Sequence, residues 1–442
     1  MLSIQSVLAI PVAALLATPV GSGLLVASTA LTLPACASHL HVGGEPCENC
    51  VKADSCEGCE SGETCAECAK GWTDLFNGTD LTGWVSTGAA DAWGVENGEI
   101  VTVKPGTGGW LRTDRMYRDF EMTVDFFMPE DGNSGLGLRG SSGGDPAFTG
   151  FELQMLDTFG QEPTSHYSGG VYTAIAPTSM EVKEAGNWNS YKVSLVGDTL
   201  NVWLNDVQIH TDQKLDDRGY FRSEDNPLPL NTRATTGYIA LQDHGHAFRF
   251  KNIKIKDLSP DPEPAGMVHL IDPELSQWFA EDAAEWTYEN GALVGRKGPG
   301  HLFSKATYAN FEMRALVKVN EHGNSGIYFH TVPNPDANTP WPITQGYEAQ
   351  VDQHDPKNYT GCIYNAAWPE DDGTGHMGPI SRDDAWFDYR IRVEGERVRT
   401  WINGEPVVDA ELESFSEGHF ALQGHHDTNV IMFKDIRVLE LD

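Results

Sequence analysis

The feature that most constrains the fold of this chain is a set of short motifs that it contains twice, in the same order. Partners lie near 190 residues apart, both for the two Asn-Ser-Gly motifs (324 − 133 = 191) and for the two Glu-x-Gln motifs (348 − 152 = 196). The matched pairs include Trp93 and Trp286, 132–135 and 323–326, 152–154 and 348–350, 203–205 and 401–403, and 250–253 and 433–436. Solenoid repeats recur every ~20–50 residues, so this longer offset predicts duplication of a whole domain.

Within each copy the local patterns are those of short β-strands. Apolar and polar side chains alternate along 120–126 and 191–195, which is the period of a strand with one buried face. Asn97-Gly98 and Asn290-Gly291 are the residue pairs that tight hairpins with positive φ favour. Helical periods are lacking. About a dozen short strands in ~185 residues predict an all-β fold, with two tandem antiparallel sandwiches of jelly-roll type.

Changes in composition divide the chain into five segments. Pro260, Pro262 and Pro264 cannot continue a strand or a helix, so they mark a linker between the copies. The predicted segments are an export signal at 1–35, a Cys-rich spacer at 36–70, a first jelly-roll domain at 71–258, a Pro-rich linker at 259–265, and a second jelly-roll domain at 266–442.

Residues 1–35 contain no charged side chain and run through apolar and small residues to Leu33-Pro34-Ala35-Cys36. This pattern predicts an export signal. Its end resembles a bacterial lipoprotein cleavage box, in which Cys36 would carry the lipid anchor. A simply cleaved signal and a retained membrane anchor are the alternatives. All three predict an exported protein, either periplasmic or at the cell surface.

The spacer at 36–70 contains three CxxC pairs that recur every nine residues, formed by Cys47, Cys50, Cys56, Cys59, Cys65 and Cys68. In an oxidising compartment an even number of cysteines favours disulfides, whose pairing the sequence does not determine. Paired CxxC motifs can also bind zinc or another thiophilic metal, and CxxC can carry redox chemistry. The three alternatives stay open.

The charge of the chain restricts its partners. It has 64 acidic and 30 basic residues and a formal net charge of −34. Such a surplus of carboxylates disfavours nucleic acid and anionic membrane surfaces as partners. It suits a soluble protein in a salty or extracellular setting.

The two Glu-x-Gln motifs are the strongest candidates for a functional site. In a strand, residues two apart point to the same face, so Glu152 and Gln154 face one side while Leu153 faces the other. A polar row on one strand is usually the solvated face of a sheet. The recurrence in a matching context favours a site instead.

The first copy resembles the 3-keto-disaccharide hydrolase family. The residues that carry the resemblance are 72–84 (WTDLFNGTDLTGW), 133–140 (NSGLGLRG), 151–157 (FELQMLD) and 241–245 (LQDHG). It implies a concanavalin-like jelly roll and an oxidised oligosaccharide or glycoside substrate that carries a ketone at C3. That ketone acidifies the C2 hydrogen, so deprotonation at C2, elimination of the C1 substituent and addition of water give net hydrolysis.

The resemblance and the side-chain chemistry suggest a role for each residue. Glu152 and His244 are candidates for general base and acid, and Arg139 for the group that stabilises the enolate oxygen. Asp157 is a further catalytic candidate, although in a regular strand it faces away from Glu152 and would need a bulge or the strand end to join the site. Candidates for sugar binding are Gln154, Gln242 and Trp110, which follows Gly108-Gly109.

The second copy keeps Glu348 and Gln350 but differs around them. Its counterparts of the first-copy candidates are His330, Glu348, Gln350, Asp352 and His425. His330, Glu348 and His425 could form a metal set of two histidines and one carboxylate, so a divalent ion, either calcium or a transition metal, is an alternative cofactor. We predict one active domain and one divergent copy.

Two classes of function fit these features. The first is an exported hydrolase of 3-keto-glycosides. The second is a carbohydrate-binding or surface-attachment protein without turnover, because the same architecture serves lectins and enzymes.

Overall fold

The structure is a computed structural model that describes residues 71–282, 284–333, 345–369 and 379–442. The predicted export signal, the lipid-anchor candidate Cys36 and the CxxC pairs lie outside the described residues. Residues 71–442 belong to one compact unit, which contains both copies of the repeat.

The regular structure of the first copy is almost entirely β-strand, with one short helix, α1 (Pro146–Thr149), and a 3₁₀ turn at Leu230–Thr232. Its strands are β1 (Trp72–Asp74), β2 (Trp84–Ser86), β3 (Trp93–Glu96), β4 (Glu99–Thr102), β5 (Trp110–Thr113), β6 (Phe120–Phe127), β7 (Asn133–Gly140), β8 (Phe151–Leu156), β9 (Trp188–Val196), β10 (Thr199–Leu204), β11 (Val207–Lys214), β12 (Tyr238–Gln242) and β13 (Arg249–Asp257).

The second copy repeats this order of strands. Its strands are β14 (Val268–His269), β15 (Trp278–Asp282), β16 (Glu285–Glu289), β17 (Ala292–Arg296), β18 (Gly300–Tyr308), β19 (Phe311–Val319), β20 (Asn324–Thr331), β21 (Tyr347–Asp352), β22 (Phe387–Glu394), β23 (Arg397–Ile402), β24 (Glu405–Glu411), β25 (Gly418–Gly424) and β26 (Val430–Glu440).

Each copy is a sandwich of two antiparallel sheets. In the first, a larger sheet has the order β11-β10-β9-β6-β13-β4-β3 with β1 beside β13, and a smaller sheet has the order β2-β5-β12-β7-β8. In the second, the orders are β16-β17-β26-β19-β22-β23-β24, with β14 beside β26, and β15-β18-β25-β20-β21. The predicted all-β fold of two tandem jelly-roll sandwiches is confirmed.

The strand pattern of the sequence explains where the cores lie. Along β6 the residues Phe120, Met122, Val124 and Phe126 are fully buried, and the residues between them are partly exposed. Their side chains meet those of the smaller sheet in one apolar cluster, and the second copy has a matching cluster. Burial of each such side chain contributes about 1.5–3 kcal/mol, so the two cores account for the sandwich form.

The two sandwiches pack against each other within this compact unit. Tyr238 and Met116 of the first copy form a small apolar cluster with Leu316 and Trp386 of the second. The intervening Pro-rich segment has no regular structure and is tied down, because the carboxylate of its buried Glu263 pairs with Arg437 at 3.1 Å.

A loop of the first copy, residues 141–144, rests on the second. The Ser142 amide donates to the Asp435 carboxylate at 3.3 Å. Gly143 lies so close to Gly291, in the hairpin between β16 and β17, that a Cβ on Gly143 would be 2.2 Å from the Gly291 Cα. This loop leads directly into Asp145 and α1.

No helix within the described ranges is long and apolar enough to cross a bilayer.

Candidate functional site

A cavity of about 460 Å³ lies over the smaller sheet of the first sandwich. The floor is the sheet face turned away from the core, because Leu153 and Leu241 point into the core while Glu152 and Gln242 point the other way. Loops and α1 build the walls. The lining residues are Asn133, Asp145, Ala147, Phe148, Glu152, Gln154, Tyr172, Arg222, Gln242 and His244.

The Asn-Ser-Gly motif makes room for Glu152. Strand β7 pairs with β8, so that Gly135 lies opposite Gln154 and Gly137 opposite Glu152. A Cβ on Gly135 would be 1.9 Å from the Glu152 Oε1, so any larger residue would displace the carboxylate. The Ser134 hydroxyl donates to the Gln242 carbonyl at 2.8 Å and ties β7 to β12.

Glu152 is a deeply buried carboxyl group on the floor of the cavity. Its side chain is 2% exposed, and its Oε1 is buried without a hydrogen-bond partner. Burial, with a smaller contribution from the negative charge of Asp145, raises the pKa of Glu152 well above its ordinary value. An unpartnered buried carboxyl group is costly to the fold and is typical of a group that acts on a ligand.

The other predicted floor residues lie beside Glu152. Gln154 lines the cavity, and its Oε1 accepts from the Met155 amide at 2.9 Å. His244 lines the cavity from the end of β12. The structure therefore brings Glu152, Gln154, Gln242 and His244 together.

Asp243 fixes the loop next to His244. The Asp243 carboxylate accepts hydrogen bonds from the amides of Gly106, Gly108 and Gly245 at 2.7–3.0 Å, and from the Thr107 amide at 3.1 Å. A single buried carboxylate thus orders 106–108. In the second copy the corresponding residue is Gly424, so this anchor is lacking there.

Besides Asn133, which belongs to the Asn-Ser-Gly motif, three polar residues of the lining were not predicted from the sequence. Tyr172 donates its amide to the Glu152 carbonyl at 2.9 Å, and burial followed by the charge of Glu152 raises its pKa. Asp145 caps α1 by accepting from the Ala147 amide at 3.1 Å. Arg222 occupies a loop position with φ 63°.

A signal for Tyr172 was present in the sequence. Residues 169–177 (GGVYTAIAP) recur as 361–369 (GCIYNAAWP), which repeats the tyrosine. Asp145 and Arg222 lie in segments without such a repeat, so the sequence pattern gave no comparable indication of them.

The structure corrects the expectation for Arg139. Its guanidinium donates to the carbonyls of Arg118 and Gly197 at 2.8 Å and pairs with Asp119 at 3.3 Å, and it does not line the cavity. Arg139 has φ 54° at a β-bulge, where the register between β7 and β12 shifts. The side chain satisfies main-chain carbonyls at this bulge instead of facing substrate.

His330 has the same structural position in the second copy. It has φ 52°, and its two ring nitrogens lie 2.8 Å from the Ala309 carbonyl and 3.0 Å from the Phe415 carbonyl. Both nitrogens are thus engaged, so the expected metal set of His330, Glu348 and His425 is not assembled. His425 instead lies beside His426, with 2.9 Å between their Nδ1 atoms.

Asp157 and Trp110 also lie outside the cavity lining. The Asp157 carboxylate accepts from the Asp131 amide at 3.2 Å, just beyond the end of β8. Trp110 is 7% exposed and packs with Ala147 and Phe148 beneath the wall, so it supports the cavity and does not form an open sugar platform.

In the described part of the second copy, a tyrosine occupies floor space that is open in the first copy. Tyr328 stands where the first copy has Gly137, and its hydroxyl donates to the Glu348 Oε2 at 2.8 Å. The Gln423 amide donates to the Glu348 Oε1 at 3.1 Å. Burial raises the pKa of Glu348 to about 7 despite these two donors. His301, the counterpart of Trp110, packs edge-on against Tyr328 with ring centroids 5.4 Å apart.

The remaining second-copy counterparts are also engaged in local hydrogen bonds. The Gln350 Oε1 accepts from the Val351 amide at 3.3 Å. The Asp352 carboxylate accepts from the Asn324 side-chain amide at 2.8 Å and from the His354 main-chain amide at 2.6 Å. These groups stabilise turns of the second sandwich.

Comparison with known proteins agrees with the duplication. The family model of the 3-keto-alpha-glucoside-1,2-lyase-like domain matches residues 71–256 and again 266–439. A 3-keto-disaccharide hydrolase of Bacteroides thetaiotaomicron is 25% identical over 228 residues, which is 42% of this chain and 79% of that protein.

Solved structures with similarity include a candidate glycosyl hydrolase of Parabacteroides distasonis, 29% identical with a TM-score of 0.38, over 44% of this chain and 98% of that one. A carbohydrate-binding module, CBM66 of Bacillus subtilis, is 19% identical with a TM-score of 0.28, over 36% of this chain and 93% of that one.

Proposed function

This chain belongs to the family of 3-keto-α-glucoside-1,2-lyase-like domains, and on that premise we propose that its first sandwich hydrolyses glycosides oxidised to a ketone at C3. The observation that carries the proposal is the buried Glu152 carboxylate, which has an unpartnered oxygen and lies in a cavity of about 460 Å³. That volume suits a sugar-sized ligand.

In the proposed reaction Glu152 removes the proton from C2, which the neighbouring ketone has made acidic. His244 gives a proton to the leaving oxygen as the bond from C1 breaks. Water then adds at C1 of the resulting enone, and a proton returns to C2. The net reaction consumes one water and yields the 3-keto sugar and the free alcohol.

Negative charge develops on the C3 oxygen during proton removal, and this oxygen needs donors. Arg139 is committed to main-chain carbonyls, so we assign this task to the guanidinium of Arg222 and the hydroxyl of Tyr172, which line the same cavity. Gln154 and Gln242 would hold sugar hydroxyls from the floor.

The decisive experiment uses the purified full chain with 3-keto-trehalose and 3-keto-lactose. Glu152→Gln removes the base while it keeps the shape of the side chain. We expect kcat/KM to fall by about 10²–10⁴-fold, the usual contribution of a general base. Exchange of the C2 hydrogen with deuterated water, followed by NMR, should fall in parallel.

The chain supplies its own matched control in Glu348→Gln, the same change at the hydrogen-bonded glutamate of the second copy. We expect this variant to keep the wild-type rate. Equal turnover by wild type and Glu152→Gln would exclude Glu152 as the base.

The second candidate function is glycan binding without turnover. In the second sandwich both Glu348 oxygens accept hydrogen bonds, so this carboxyl group lacks the free oxygen that Glu152 has for proton removal. Binding of the keto sugars by the wild type without any product would extend this second function to the whole protein. Export and a lipid anchor at Cys36 concern residues outside the described ranges and stay predictions.

A further inference from the structure

Two histidines and one aspartate converge in the turns of the second sandwich. His322 lies in the turn between β19 and β20, His354 follows β21, and Asp383 lies in the turn before β22. One ligand atom from each, an imidazole nitrogen or a carboxylate oxygen, lies within 4.8 Å of the other two. Among the residues that the structure describes, this is the one group of three such side chains that converges in this way.

Asp383 contacts both histidines through one carboxylate oxygen, and its other oxygen has no hydrogen-bond partner. The Asp383 Oδ2 accepts from the His322 main-chain amide at 3.0 Å and lies 2.8 Å from the His354 Nε2. Its Oδ1 is buried and has no hydrogen-bond partner. A buried acceptor left without a partner costs about 1–3 kcal/mol, and a bound cation would remove that cost.

The backbone brings the two imidazoles together. His322 has φ 57°, a conformation that is uncommon for residues other than glycine. In this conformation its ring lies 4.5 Å from that of His354, measured between centroids. Both histidine side chains are open to solvent, 75% and 43% exposed, so an ion could enter directly.

The cluster is specific to the second copy. The positions of the first copy that correspond to His322, His354 and Asp383 are Asp131, Thr158 and Ala185. The three ligand types therefore do not follow from the duplicated fold, which places no such set in the first sandwich.

We propose that His322, His354 and Asp383 bind a divalent transition-metal ion of the zinc class. Imidazole and carboxylate are ligands that Zn²⁺ and its neighbours Co²⁺ and Ni²⁺ accept, and three protein ligands leave a coordination position for water. The ion ties together three turns that are distant in sequence. An ion that binds only the folded state adds to its stability by mass action.

Zinc titration of the full chain by calorimetry tests the proposal. The CxxC segment can also bind zinc, so the result is the difference between variants that all keep it. Asp383→Asn and His354→Gln should lose one zinc equivalent or bind it at least ~10-fold more weakly. The matched control is Asp384→Asn, which changes the neighbouring carboxylate and should titrate as the wild type does.

Two further measurements separate this site from thiolate sites and from misfolding. The Co²⁺ spectrum of the wild type minus that of either site variant should show visible d–d bands without thiolate charge transfer. Zinc should raise the unfolding temperature of the wild type and Asp384→Asn, but not of the site variants. If Asp383→Asn fails to fold, the exposed His354→Gln decides alone. Equal zinc stoichiometry and affinity in the site variants and the control would overturn the proposal.

Discussion

Replacing Glu348 by Gln should flatten the pH dependence of folding stability. Burial raises the pKa of this carboxyl group from 4.5 to about 7 in the folded chain. As the pH rises, the unfolded chain therefore loses this proton at a lower pH than the folded chain does. The stability that this group contributes is full below about pH 4.5 and is lost as the pH rises through about 7.

The size of the effect follows from the two pKa values. One pKa unit corresponds to ~1.4 kcal/mol, so the loss between about pH 5.5 and about pH 8 integrates to about 2 kcal/mol. The lower pH stays clear of the isoelectric point near 4.6, where the chain would tend to associate. Glutamine carries no titrating proton, so the variant should lack this component.

Urea unfolding followed by tryptophan fluorescence measures the difference. Wild type, Glu348→Gln and the control Glu413→Gln, an exposed glutamate, would each be unfolded at both pH values. Between the lower and the higher pH, the free energy of unfolding of the wild type and the control should fall by about 2 kcal/mol more than that of Glu348→Gln. Glu152 contributes the same pH dependence of stability to all three proteins, so its contribution cancels in the comparison. The same pH dependence in all three would refute the reasoning.

Four other outcomes are expected. Tyr328→Phe removes a donor from Glu348 and should cost about 1.5–3 kcal/mol at alkaline pH in urea unfolding, more than at acid pH, where the carboxyl group is neutral. Arg139→Ala leaves buried carbonyls unpaired and should lower the free energy of unfolding by about 3 kcal/mol or more; an unchanged thermal midpoint would contradict its role at the bulge. Asp243→Asn should speed amide hydrogen exchange at 106–108, while the exchange of core strands stays as in the wild type. In the pH profile of hydrolysis, kcat/KM should rise as Glu152 ionises, at a pH above the ordinary range of a glutamate, because only the carboxylate can accept the C2 proton.

The sequence predicted the fold because its main signal is periodic. The alternation along β6 indicates which side chains face the core. The similar offset between the paired motifs, near 190 residues, indicates that the sandwich occurs twice. The same alternation placed Glu152 and Gln154 on one face, and the structure puts both in the cavity lining. A period of two carries this information without knowledge of any distant contact.

The site residues that sequence analysis misplaced or missed depend on features without a period. Arg139 turns away from the cavity because it has a positive φ at a β-bulge. An arginine at this position does not indicate a bulge in the sequence. Asp145 and Arg222 reach the cavity from loops whose course only the packed structure determines. The hydrogen bond from Tyr328 to Glu348 joins residues that face each other on two strands, β20 and β21.

The contact of Gly143 with Gly291 makes the cavity wall dependent on the other half of the chain. At this point two main chains touch with no side chain between them, so any substituent on either glycine would act as a wedge. Its first effect would fall on the loop that leads to Asp145, and thus on the field around Glu152. A substitution in the β16–β17 hairpin of the second copy would then change the pKa of Glu152 in the first copy, although the substituted residue does not line the cavity.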